Sequence, residues 1–184
     1  MDAANVIALV GIAATAAVAI TAQILSYKTQ ARLQKDSETR TVLDGALATA
    51  YEARLALDEY TTAVARLTTV EPGSERFRDI ESEIQTAQTA ANAALDKFRL
   101  NASRLIVRFG REHIVYATYA SVLLASFDVL GNTADFHTVF VYGSAGRKIE
   151  ALVATLEDIA GGAKHLDRLV DEFAGQAHGW ASRN

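Results

Sequence analysis

A single proline, Pro72, in 184 residues limits what this chain can fold into more than any other feature. Proline lacks the amide donor and its ring clashes with the preceding turn, so it stops helices. With one such stop, and with Ala, Leu, Arg and Glu abundant, the chain reads as long helices. From Ser26 onward nothing strong breaks a helix before Glu71-Pro72-Gly73-Ser74, Gly45 being only a weak point. Leu43, Leu47, Ala50, Leu57, Tyr60, Val64 and Leu67 share one face of that stretch, and Arg54 interrupts it. Pro72-Gly73 makes a turn and Ser74 suits the N-cap of a second helix. There Phe77, Ile80, Ile84, Ala87, Ala91, Ala94, Phe98, Ala102, Leu105 and Phe109 recur at steps of three and four, almost a heptad seam. Two long helices about a short turn predict an antiparallel, coiled-coil-like hairpin over residues 26–109.

Gly110 punctuates the chain, and a third helix is predicted over 111–130. Its segment Ile114–Phe127 is uncharged, and a helix apolar all round lies either in a protein core or in lipid. At this length it is short for a membrane crossing, which favours the core. Gly131-Asn132-Thr133 reads as a loop. Phe136–Tyr142 admits a short strand or a helical turn. A last helix is predicted over 147–177, with Ile149, Leu152, Leu156, Ile159, Ala163, Leu166, Val170, Phe173 and Ala177 as its seam. Gly161-Gly162 inside it costs about 2 kcal/mol against two alanines, and a tight helix contact explains the pair better than a hinge. Residues 179–184 read as a frayed tail from which Trp180 can dock on the bundle. The expectation is an all-α fold, an antiparallel bundle of about four helices.

Ahead of this body lies an uncharged run, Val6–Leu25, VIALVGIAATAAVAITAQIL. About 20 apolar residues span the ~30 Å hydrocarbon core of a bilayer. Seven of these are alanine, so the anchor is a marginal one. Lys28, Arg32, Lys35 and Arg40 follow it, and cations stay on the cytoplasmic side. The run therefore predicts a single-pass plasma-membrane protein, with residues 1–5 outside and a cytoplasmic bundle over 26–178. A cleaved signal peptide, with Ala17-Val18-Ala19 as the cleavage site, is the rival reading, but the basic leading region is missing. Gly11, Thr15, Ala19 and Gln23 form a small-residue face at steps of four, suited to self-association within the membrane.

Composition excludes several chemistries. A net charge of −4 speaks against a nucleic-acid binder. With no cysteine there is no disulfide, thiolate or Cys-zinc chemistry. None of His113, His137, His165 and His178 has a metal-ligating partner three or four residues away. Gly143-Ser144-Ala145-Gly146-Arg147-Lys148 is a basic helix start without phosphate-loop spacing, so a cap explains it better than an anion site. Glu157, Asp158, Asp167, Asp171 and Glu172 read as a solvated acidic face. No catalytic residue, cofactor site or metal site is expected.

One basic feature stands out. Lys97, Arg104, Arg108 and Arg111 make a stripe apart from the apolar seam. Folding the hairpin about Pro72 should return it toward Lys28, Arg32, Lys35 and Arg40, near the helix exit from the membrane. Anionic headgroups attract such clusters by ~1 kcal/mol per basic residue at the surface. Pairing with acids of the last helix is the competing account. The functional expectation is a non-enzymatic, membrane-anchored helical scaffold, adaptor or regulatory module. Its expected partners are membrane lipids, a further protein and a second copy of itself. The alternatives are a pore-forming or remodelling protein that inserts 114–127, and a lipid- or ligand-responsive signalling module.

Overall fold

The computed structural model describes the backbone of residues 3–142 and 149–182, and the side chains of 21–142 and 153–182. Four α-helices follow in order: α1 (Ala3–Leu67), α2 (Glu75–Phe109), α3 (Ile114–Tyr142) and α4 (Ile149–Ala181). The described residues contain no strand. The chain divides into two compact units, Met1–Thr41 and Val42–Asn184. The first is the leading part of α1. The second is a bundle formed by the rest of α1 with α2, α3 and α4.

The expected helix ends are held by the expected chemistry. The Ser74 hydroxyl accepts from the Phe77 amide at 3.1 Å, and Glu75 places negative charge in the first turn of α2. Gly110, at φ +83°, ends α2 in a conformation that a side chain disfavours, and its amide donates to the Ile106 carbonyl at 2.8 Å. The stripe thus loses its last member as a helical residue, because Arg111 lies in the turn beyond this cap. His113 opens α3: its Nδ1 accepts from the Val115 amide at 3.3 Å and its carbonyl from Ala117 at 3.0 Å.

Neighbouring helices run antiparallel, as a ladder of contacts shows. Between α1 and α2, Arg66 meets Glu83 at 2.7 Å, Glu52 meets Lys97, and Gly45 lies opposite Asn101. Between α3 and α4, Tyr119 packs edge-on to Phe173 and Val129 faces Gly162. The predicted seams are the buried faces: Leu43, Leu57, Tyr60 and Leu67 from α1, Phe77, Ile84 and Phe98 from α2, Leu166, Val170 and Phe173 from α4. Each such side chain contributes roughly 1.5–3 kcal/mol by leaving water.

Three expectations need correcting. Gly131-Asn132-Thr133 is not a loop: α3 continues to Tyr142, twelve residues beyond the expected end at 130. Phe136–Tyr142 is therefore helical, with Phe136 buried and stacked on Phe140 at 5.9 Å. The fraying expected from Gly179 does not begin there: α4 holds to Ala181 and Trp180 stands edge-on to Phe109 at 5.8 Å, while residues 183–184 lie outside the described residues. Of the glycine pair, only Gly162 is in close quarters: a Cβ there would lie 3.3 Å from Val129 Cγ2, while Gly161 faces open space.

Candidate interaction surfaces

In the first unit, every described side chain from Thr21 to Glu38 except Asp36 is exposed. Ile24, Leu25, Tyr27 and Leu33 are large apolar members of that set, Tyr27 at 73% exposure. Lys28, Arg32, Lys35 and Arg40 are exposed among them. The proposed self-association face lies largely outside the described residues: nothing is described of the Gly11, Thr15 and Ala19 side chains, and Gln23 is exposed.

The second unit holds the other basic group. Arg104 and Arg111 are exposed and Arg108 is half-buried. Lys97 is tied to Glu52 of α1, and Arg104 donates to Asn101 Oδ1 at 3.2 Å. The acids of α4 draw a different cation. Arg54, the residue that breaks the α1 seam, places Nε 2.5 Å from Asp167 and Nη1 3.9 Å from Asp171. Both ends of this pair are partly exposed, which limits it to under about 1 kcal/mol. The rest of the acidic face, Glu157, Asp158 and Glu172, is exposed. The Gly143–Lys148 helix start lies outside the described residues.

A polar chain crosses the bundle where the seams meet. The buried Tyr119 hydroxyl donates to the Phe98 carbonyl at 2.9 Å and lies 3.1 Å from Thr49 Oγ1. Asn101 Nδ2 reaches Thr49 Oγ1 at 3.2 Å, and Arg104 closes the chain on Asn101. Burial raises the Tyr119 phenol well above its ordinary range, with the Thr49 hydrogen bond opposing this weakly. Tyr119 and Asn101 spend their donors between helices, so the network positions rather than reacts, while Arg104 bonds within α2 and stays exposed. Sequence reading missed it because Asn101 and Thr49 fall beside the apolar seams it traced.

Open grooves flank the helices. One of about 680 Å³, between α1 and α2, is lined by Asp58, Glu59, Asp79 and Glu83 around Arg66. Another of about 470 Å³, between α3 and α4, combines Leu124, Val129, Ile159 and Leu169 with Asp128 and His165. Among the described residues no three His, Cys, Asp or Glu side chains gather as a metal site. Among the described residues one helix, α3, is long and apolar enough to cross a membrane by length and composition, with a third of its most apolar window buried inside the protein. The expectation that 114–127 is too short to span thus fails on length, because the helix extends to Tyr142. No protein-family model, curated protein or solved structure matches this chain.

Proposed function

We propose that this chain is a single-pass, membrane-anchored helical interaction module without chemistry of its own. In this reading Val6–Leu25 crosses the plasma membrane. The helical bundle stays on the cytoplasmic side and presents its surfaces to a protein partner or a second copy. One observation carries the reading. The uncharged run lies in a helix that begins at Ala3, and the same helix then leaves Ile24, Leu25, Tyr27 and Leu33 uncovered by their own chain. Apolar side chains so exposed call for lipid or another polypeptide. The cations that follow favour the cytoplasmic side for the bundle.

Alkaline carbonate extraction of membranes tests the anchor. The protein should stay in the membrane pellet, and release into the supernatant would overturn the reading. Single-cysteine crosslinking along residues 8–23 tests self-association. Crosslinks peaking at positions 11, 15 and 19 are expected, and a flat profile would remove the small-residue face from the proposal. Lipid-phase labelling separates the membrane-active alternative. Labelling of the first 25 residues without labelling along 118–142 fits the anchor, whereas labelling throughout 118–142 would replace it with α3 insertion. The packing of α3 supports its place in the core. Ser126 and Thr133 are fully buried there and bond back to the Val122 and Val129 carbonyls at 2.8 and 2.7 Å.

A further inference from the structure

The second half of α2 carries large apolar side chains on its outward face. Val107 is 88% exposed and Leu100 68%. Seven residues apart, they stand two turns from each other on one side of the helix. The exposed Arg104 lies between them. Past the Gly110 turn, Arg111 is exposed and Ile114 is 61% exposed. Single exposed aliphatic residues are ordinary; two on one side of α2 with an arginine between them, and a third just past the turn, are less so. With Lys97, paired with Glu52, and Arg108 both set aside, Arg99, Arg104 and Arg111 still outnumber two carboxylates, Asp96 and Glu112, between residues 96 and 112. The start of α2 is the reverse. From Glu71 to Glu83, with Glu83 paired to Arg66, four carboxylates face two arginines, and no large exposed apolar side chain occurs between residues 68 and 99.

We propose that Leu100, Val107 and Ile114, with Arg104 and Arg111, form a docking face for an anionic lipid surface. The aliphatic groups enter the interfacial layer and the guanidinium groups meet headgroup phosphates. Interfacial binding combines apolar area with attraction to anionic lipid in this way. Arginine stems also lie along apolar surface while their charge stays wet. The Leu100–Val107 part of the face is an outward helix surface, which a fluid bilayer can conform to without a matching cavity. Charge selects the lipid: the acidic start of α2 would be repelled by the same surface. The proposal deepens the membrane reading but does not require the Val6–Leu25 anchor.

The absence of cysteine makes the test clean. A Ser103→Cys variant of the full chain, labelled with nitrobenzoxadiazole, is reconstituted into phosphatidylcholine liposomes with or without phosphatidylglycerol. With phosphatidylglycerol the label should shift blue and be quenched by lipid-borne nitroxide, and added salt should reverse both. A label at Asp79→Cys should respond to neither. Arg104→Gln with Arg111→Gln should lower the docked-to-undocked ratio by roughly tenfold or more, from the loss of two surface cations. Leu100→Ser with Val107→Ser should abolish quenching. Equal quenching at positions 103 and 79, or no response to phosphatidylglycerol, overturns the proposal. Protection of the label by polyglutamate but not by lipid overturns it in favour of an acidic protein. If carbonate releases the protein, the anchor reading fails by itself. Flotation of the released chain with phosphatidylglycerol vesicles then decides the docking face.

Discussion

Tyr60 and Tyr119 are both fully buried, yet their hydroxyls meet opposite fates. Tyr119 has the Phe98 carbonyl and Thr49, whereas the Tyr60 hydroxyl has no hydrogen-bond partner. Burial pushes the Tyr60 phenol up to about 12. An unmade buried hydrogen bond costs about 1–3 kcal/mol, and a made one contributes about 1. Tyr119→Phe should therefore cost about 1–2 kcal/mol, and Tyr60→Phe should be neutral or stabilise by up to about 1 kcal/mol. Urea unfolding of the two variants checks the contrast, and equal losses would contradict it. His137 gives a second residue-scale prediction. Its Nε2 is buried without a partner, and burial lowers its pKa against the opposing pull of Glu81. The unfolded imidazole, with its ordinary value of 6.5, then binds a proton first as pH falls. The stability that neutral His137 allows is complete above about 6.5 and is lost as the pH drops below that toward the folded value. Unfolding midpoints between pH 7.5 and 5.5 should fall less in His137→Gln than in the parent. None of these partners is legible in the sequence, since a tyrosine on a seam looks the same whether or not another helix supplies an acceptor.

The helices themselves are legible wherever spacing and stop signals agree. Ser74 and Gly110 bound α2 because a cap and a positive φ are local requirements that local residues meet. Reading fails at Gly131-Asn132-Thr133, where composition favours a loop. Burial overrides it: Val129, Thr133 and Phe136 keep the three-and-four spacing and are all buried. Thr133 also satisfies its hydroxyl on the Val129 carbonyl, so a polar residue enters the core at little cost. Propensity yields to tertiary packing at such places. The Gly161-Gly162 pair turns the same reasoning into an element-scale prediction. Gly161→Ala meets nothing and should stabilise α4 by up to about 1 kcal/mol. Gly162→Ala must displace Val129 slightly, so its gain should be smaller or reversed. Gly110→Ala should cost about 1 kcal/mol or more through its φ of +83°. Thermal unfolding should rank the three in that order, and a Gly162→Ala variant more stable than Gly161→Ala would show that Val129 does not restrict the site.

At the scale of the whole molecule the open question is orientation, and charge should decide it. The proposed span is followed by Lys28, Arg32, Lys35 and Arg40, against Asp36 and Glu38. Acidic residues count little in the positive-inside rule, so the four cations should hold the bundle in the cytoplasm. The span is a weak partner in that decision. Its alanines contribute little transfer energy and it carries no charge of its own, so a shift of flanking cations meets little resistance. Changing all four cations to Gln, with Asp2→Lys and Ala4→Lys, should turn a substantial fraction of molecules over. Single cysteines at Ala3 and Gln30, probed in intact cells by a membrane-impermeant maleimide, report the result. In the parent sequence position 3 should label from outside and position 30 only after lysis. In the charge-shifted variant position 30 should label from outside in the inverted fraction. Labelling of position 30 in intact cells expressing the parent would place the bundle outside and reverse the topology. Protection of both positions in intact parent cells would mean that Val6–Leu25 does not cross the membrane, and the proposed arginine-flanked face of α2 would then have to carry the bundle's contact with a bilayer unless α3 inserts.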